Sequence, residues 1–175
     1  MTMARPGRLH LISADAADTV DARLARDPAL HRVSSLAEVR AALEREADGG
    51  TAAATLDLMG HSTRDHHFLR LGATPVDLMD PAVARWFESL AADGVLSRLG
   101  VGTLRLLGCE TAVEVAGQRT MLRLARLLGI RVCGTRRPLL RSHYDADGIA
   151  PAFVRSVLIE ASELPQPLRR LTPDR

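Results

Sequence analysis

An α/β protein, a three-layer sandwich with a mainly parallel sheet between helices, is the fold class this sequence predicts, and three observations predict it. Short apolar segments alternate with longer amphipathic ones along the chain. Three of the short segments, residues 54–59, 104–107 and 130–133, are of the apolar kind that is buried on both faces. The 175 residues, 46% hydrophobic and 25% charged, suit one domain with one core, expected over residues 1–164, with a polar tail at 165–175.

Taken in chain order, residues 9–13 are expected to form the first strand and 30–34 a short second one. Ser35 and Glu38 make a capping box, behind which Leu36, Val39 and Leu43 recur at helical spacing until Gly49-Gly50 stops the helix. After the strand at 54–59, Asp80-Pro81 supplies an N-cap with proline at the first helical position. Val83, Trp86, Phe87 and Leu90 then mark one apolar face. Beyond the strand at 104–107, Met121, Leu124, Leu127 and Leu128 form the inner face of a helix ended by Gly129, with Arg119, Arg123 and Arg126 on its solvated face. A last helix is expected over about 149–161, burying Phe153, Val154, Val157 and Leu158, before Pro165 and Pro167 open a frayed tail. No tandem repeat, low-complexity tract or linker divides the sequence.

Composition removes several kinds of chemistry. The 23 basic and 21 acidic side chains nearly cancel, which argues against disorder and against a nucleic-acid partner. Every basic side chain is arginine, and the sequence holds neither lysine nor asparagine. There is therefore no phosphate-loop lysine, no Schiff-base lysine for pyridoxal phosphate, no Ser-Lys dyad and no Cys-His-Asn set. Cys109 and Cys133 are too few for a disulfide scaffold and point to a reducing compartment. The apolar stretch behind Arg5 and Arg8 is interrupted by Ser13 and Asp15, and no run of about 18 apolar residues occurs. A cytoplasmic protein without a membrane partner is expected, its Arg, Ala and Leu bias being that of a GC-rich bacterial coding sequence.

The most informative feature is an internal echo. Thr55-Leu56-Asp57-Leu58-Met59-Gly60-His61-Ser62-Thr63 has the pattern of Thr103-Leu104-Arg105-Leu106-Leu107-Gly108-Cys109-Glu110-Thr111. Each is a strand, a glycine that lets the backbone turn out of it, and then a reactive side chain. Parallel strands place their carboxyl ends on one edge, where such folds bind ligands, so His61 and Cys109 are expected side by side there. A thiolate is the attacking form of cysteine, favoured by a neighbouring imidazolium and by a helix N-terminus, and the next helix is expected to begin between Thr111 and Gln118. With His61 protonating the leaving amine and backbone N–H groups holding the oxyanion, the pattern reads as peptide hydrolysis by a Cys-His dyad.

Leu58-Met59-Gly60-His61-Ser62 and Leu107-Gly108-Cys109-Glu110-Thr111-Ala112, with Gly117-Gln118 opening the next helix, resemble the caspase-like cysteine peptidases of clan CD, most of all the bacterial CHAT-type and related caspase-like domains. The resemblance covers roughly residues 54–135. In that family the nucleophilic Cys follows the catalytic His by about 50 residues, and here the separation is 48. The residue after the His is usually Gly; here it is Ser62, which can still donate its N–H. The resemblance implies a caspase-like topology and a cysteine endopeptidase needing no cofactor or metal, with Ser62 and Cys109 N–H groups as the oxyanion hole. It also implies a protein or peptide substrate and, often, a separate regulatory or activating protein. In the family a residue just after the first strand helps to set the first specificity pocket, acidic when cleavage follows Arg or Lys. Asp15 and Asp18 stand in that region, whereas Arg136 and Arg137, after the strand ending at Cys133, would welcome an acidic side chain. The reading leans to basic substrates.

Blander readings stand beside these. Exposed aspartates near a helix start are common caps. Cys133, ending an apolar strand, reads as a core residue, and Glu110 as a cap for the next helix. His66 and His67 with Cys109 offer zinc the right donor types at a spacing that fits no known zinc motif, so a solvated turn is expected. Asp57 and Arg105, each four residues before the reactive position, are expected to pair across neighbouring strands about 13 Å from the thiol, as a register device. The rivals to a peptidase are a catalytically inactive caspase-like domain serving as an interaction module, and a redox sensor in which Cys133 lies close enough to Cys109 to resolve a sulfenic acid.

Overall fold

The apolar segments assemble into a six-stranded sheet in the computed structural model of the chain, which describes residues 7–16, 30–145 and 148–165. Its strands are β1 (Gly7–Ser13), β2 (Leu30–Val33), β3 (Ala53–Met59), β6 (Thr103–Leu107), β7 (Arg131–Thr135) and β10 (Leu158–Glu160). Across the sheet they run β2-β1-β3-β6-β7-β10, all parallel except β10, which is antiparallel to β7. Two small ladders lie outside it: β4 (Arg70–Leu71) with β5 (Thr74–Pro75), and β8 (Tyr144–Asp145) with β9 (Gly148–Ile149).

Helices α1 (Leu36–Asp48), α2 (Pro81–Ala92), α3 (Val95–Leu99), α4 (Val115–Leu128) and α5 (Pro151–Val157) connect the strands. The caps expected at Ser35, Asp80 and Gly129 are in place, the first with one shift. Ser35 Oγ accepts from Glu38 N at 3.2 Å, but the Glu38 carboxylate reaches back to Ser34 N at 2.7 Å, one residue earlier than a standard box. Asp80 accepts from Ala82 N and Val83 N ahead of α2, and Gly129, in the left-handed region at φ 65°, ends α4.

Side chains alternate across each strand, and the two faces differ. Leu9, Leu11, Leu56, Leu58, Leu104, Leu106 and Val132 meet the apolar faces of α1 to α4 in the larger core. On the other face, Ile12, Met59 and Leu107 pack with Tyr144, Ile149, Val157 and Leu158. Helices on both sides of a mainly parallel sheet make the expected three-layer α/β architecture.

One transverse rank of that second face carries charge. His10 pairs in register with Asp57, Asp57 with Arg105, Arg105 with Cys133, and Cys133 with Glu160. Arg105 Nε and Nη2 each reach one Asp57 oxygen at 2.5 Å, and His10 Nδ1 lies 3.0 Å from Asp57 Oδ2. The three side chains are buried. Burial pushes the Asp57 carboxyl up, but Arg105 and then His10 outweigh it and hold the carboxyl below its ordinary value. The cross-strand ion pair expected from the echo is therefore present, with His10 as a third member.

Two expectations need correction. The helix expected over 149–161 is only α5; the chain leaves it at Leu158 and becomes edge strand β10. Val157-Leu158-Ile159 contains two β-branched residues suited to a strand, and the Arg136 guanidinium fixes the exit by donating to Leu158 O at 3.1 and 3.0 Å. The strand placed at 130–133 runs two residues further, to Thr135. Apart from Pro165, the polar tail lies outside the described residues. Among those described, no helix is long and apolar enough to cross a membrane.

Candidate active site

At the carboxyl edge the echo becomes a pair of adjacent turns. Gly60 N donates to Leu107 O at 3.2 Å, which carries the β3–β6 pairing one step past the last strand residues. A Cβ on Gly60 would stand 2.3 Å from Arg70 O, and one on Gly108 would stand 2.6 Å from Ser62 Oγ. Both positions need glycine because another chain segment crosses at contact distance. The Ser62 hydroxyl donates to Cys109 O at 2.7 Å, tying the residue after His61 directly to Cys109. His61 is exposed and Cys109 half-buried, so both reactive residues sit at the rim.

Each turn is held from behind. Beyond His61 the chain doubles back as a tight hairpin, in which Arg70 N donates to His61 O and Thr63 N to Phe68 O, both at 2.8 Å, around the Ser62–Leu69 pair. This pattern leaves Ser62 as a non-hydrogen-bonded pair whose N–H points away from Leu69. Behind Cys109, the buried Thr135 hydroxyl donates to Gly108 O at 2.5 Å and accepts from Thr111 N at 3.0 Å. Thr111 Oγ1 in turn donates to Leu106 O and accepts from Thr135 N. Among the described residues, neither the Ser62 nor the Cys109 backbone N–H has a hydrogen-bond acceptor. Two donors on neighbouring turns are thus free to hold an oxyanion.

Strain gathers at the same place. The non-glycine residues with positive φ among those described are His66 (65°), His67 (51°) and Glu110 (60°), and left-handed backbone costs such residues about 1 kcal/mol or more each. Glu110 follows the candidate nucleophile directly, and its carboxylate lies 3.7 Å from His67 Nδ1. His66 and His67 occupy the hairpin tip, the turn expected of them. Among the described residues no three His, Cys, Asp or Glu side chains converge as a metal site. Helix α4 begins at Val115, inside the expected window, but its N-cap is Glu114 and not the expected Glu110, which lies in the turn before it.

No protein-family model and no curated protein sequence matches the chain.

The residues proposed for substrate contact fall in different settings. Asp15, just after β1, is paired with Arg70 at 2.5 Å, and its other oxygen accepts from the Ser13 hydroxyl. The Ser13 hydrogen bond, with Arg70 and His61 adding to it against partial burial, holds the Asp15 carboxyl below its ordinary value. Asp18 lies outside the described residues. Arg136 is committed to Leu158 O, and Arg137 is exposed beside it. Cys133 stands opposite Arg105, four positions before Cys109, on the order of 10 Å along the strand direction and so beyond the roughly 7 Å Cα reach of a disulfide. Burial, with Glu160 adding to it, pushes the Cys133 thiol up to about 11.

Sequence reasoning did not anticipate Thr135, Arg70 or Tyr144 at this edge. Tyr144 is buried, and burial together with Asp57 and Cys109 raises its phenol above the ordinary value. A separate cleft of about 530 Å³ lies between the end of α4, the start of β7 and residues 160–162. It is at the opposite, amino edge of the parallel strands and includes neither His61 nor Cys109.

Proposed function

We propose that the chain is a cysteine endopeptidase of caspase-like kind, with Cys109 as nucleophile and His61 as general acid and base. The observation that carries this reading is the pairing of the two strand-glycine turns, joined by the 2.7 Å bond from Ser62 Oγ to Cys109 O. The Cys109 thiolate attacks the scissile carbonyl carbon, forming a C–S bond while the carbonyl electron pair moves onto oxygen. The Ser62 and Cys109 N–H groups stabilise that oxyanion. As the oxyanion collapses, the C–N bond breaks and the His61 imidazolium gives its proton to the departing amine. Water then attacks the thioester, His61 takes its proton, and the acid product leaves with the Cys109 thiolate restored. A protein substrate with a basic side chain at the scissile residue fits a rim where Glu110 adjoins the nucleophile and Arg136 is engaged elsewhere.

Alkylation of Cys109 against pH, in a Cys133→Ser background with and without His61→Ala, tests the proposal. The expected result is that Cys109 is alkylated near neutral pH faster than a free cysteine, and that the rate falls to that of a free cysteine when His61 is lost. A slow Cys109 indifferent to His61 would overturn the peptidase and leave a noncatalytic interaction module on the same fold.

A further inference from the structure

We infer that Thr135 is a positioning residue of the oxyanion hole, holding the peptide between Gly108 and Cys109 so that its N–H faces the rim. The inference rests on the dyad reading and deepens it. Thr135 ends β7, beside the turn that follows β6, and forms a reciprocal clasp with Thr111 of that turn. Thr111 N donates to Thr135 Oγ1 at 3.0 Å, and Thr135 N donates to Thr111 Oγ1 at 2.9 Å. Each hydroxyl then has one proton to place. Thr111 gives its proton to Leu106 O at 3.0 Å, and Thr135 gives its own to Gly108 O at 2.5 Å. The two hydroxyl oxygens, 3.2 Å apart, have no proton left to share, and this assignment serves both carbonyls and both N–H groups. Both side chains are buried, and Ala112 N adds a main-chain bond to Thr135 O at 2.9 Å.

Gly108 O and the Cys109 N–H are the two ends of one peptide group, and a trans peptide points them in opposite directions. Tying the oxygen back to the end of β7 therefore turns the Cys109 N–H the other way, where no described residue accepts it. The same bond draws electron density toward the carbonyl and strengthens the N–H as a donor. A Cβ on Gly108 would stand 3.0 Å from Thr111 Cγ2 as well as 2.6 Å from Ser62 Oγ, so the peptide is confined from both sides. The Ser62 N–H is set by the same rule, since it shares a peptide with His61 O, which accepts from Arg70 N at 2.8 Å. The two donors differ in what holds them. Behind Ser62 the bond is main chain and survives side-chain substitution; behind Cys109 it is one hydroxyl, and Thr135 supplies it.

The test uses the full chain carrying Cys133→Ser and two reagents, p-nitrophenyl acetate and iodoacetamide. With the ester, the Cys109 thiolate attacks the carbonyl carbon, the carbonyl electron pair moves onto oxygen, and collapse expels p-nitrophenolate, which needs no proton. Iodoacetamide is attacked at a saturated carbon, with iodide leaving and no oxyanion formed. The ratio of the two Cys109 rates therefore reads the oxyanion hole, because thiolate content cancels. First-turnover p-nitrophenolate release is corrected by that of a Cys109→Ser chain. Thr135→Val should lower the ratio about tenfold, less than the roughly hundredfold or more lost when an oxyanion donor is removed outright. Thr135→Ser keeps the hydroxyl and should restore the ratio to within about threefold. Thr135→Ala takes the place of the valine chain if circular dichroism shows the latter unfolded. A merely structural role would slow both reactions together, so an unchanged ratio, or one that serine does not restore, would overturn the inference. So would a wild-type ratio no higher than that of N-acetylcysteine. If His61→Ala slows Cys109 but the ratio ignores Thr135, the dyad stands and the inference falls. If the ratio follows Thr135 while Cys109 is indifferent to His61, the aimed N–H stands and the peptidase falls instead.

Discussion

Replacing Arg105 by Met should be among the most damaging single changes in the chain. The Asp57 carboxylate is fully buried and receives two guanidinium bonds at 2.5 Å, with His10 Nδ1 as a further neighbour at 3.0 Å. Methionine keeps the apolar stem and removes both bonds, leaving a buried anion inadequately compensated. Breaking one side of a buried ion pair costs about 3–5 kcal/mol, a large share of the roughly 5–15 kcal/mol that holds a domain together. With a urea slope near 2 kcal/mol per molar, the unfolding midpoint should fall by about 2 M. The double variant Asp57→Leu/Arg105→Met, which removes both charges, should recover more than half of that loss. The pH dependence follows from the same group. Because the folded Asp57 carboxyl titrates below its ordinary 3.8, its stabilisation is complete above that value and is lost as the pH falls through the folded one. Wild-type stability should therefore drop more steeply below about pH 4 than that of Asp57→Asn. A loss under about 1 kcal/mol for Arg105→Met, or strictly additive losses in the double variant, would refute the argument.

Two more predictions concern Thr135 and Cys133 on β7. Thr135→Val keeps the shape but removes the hydroxyl that serves Gly108 O and Thr111 N; it should cost about 2–3 kcal/mol in urea unfolding and slow Cys109 alkylation, and unchanged stability would count against the lock. Cys133, its thiol pushed up to about 11, should be alkylated at pH 8 at least about a hundredfold more slowly than a free cysteine. Labelling in Cys109→Ser followed by mass spectrometry checks this, and a rate like that of free cysteine would contradict the burial argument.

Local chemistry made most of this fold readable. Ser35, Asp80 and Gly129 mark helix ends because a cap depends on residues one turn away, and the parallel strands announce themselves because both faces are buried. Equal offsets also revealed register: Asp57 and Arg105 lie the same four residues before His61 and Cys109, so aligning the echoes pairs the charges. What could not be read depended on partners distant in sequence. Phe153, Val154, Val157 and Leu158 keep helical spacing, and only pairing with β7 and the Arg136 bonds turn Leu158 into a strand residue. His10 looked like one more member of an apolar strand, since nothing near it tells that Asp57 will lie opposite. Thr135, as a hydroxyl at a strand end, carried no local sign that the Cys109 turn would need it.

The charged rank and the thiol edge are linked through register. His61 and Cys109 project from turns, but the turns begin where β3 and β6 end, and a slip of one residue between these strands would displace one turn by about 3.3 Å and reverse the facing of every side chain on the slipped strand. Apolar residues alone discriminate weakly here, because Leu56, Leu58, Leu104 and Leu106 are interchangeable in shape and the strands are buried on both faces. Asp57 and Arg105 are not interchangeable: a slipped strand would bury a carboxylate and a guanidinium against leucines, at several kcal/mol for each unpaired charge. The pair thus sits too far from the thiol to take part in chemistry, yet it removes the alternative alignments in which Ser62 could not reach Cys109. On this argument, Asp57→Leu/Arg105→Met should remain folded while losing part of the His61-dependent reactivity of Cys109, the signature of a register held less strictly.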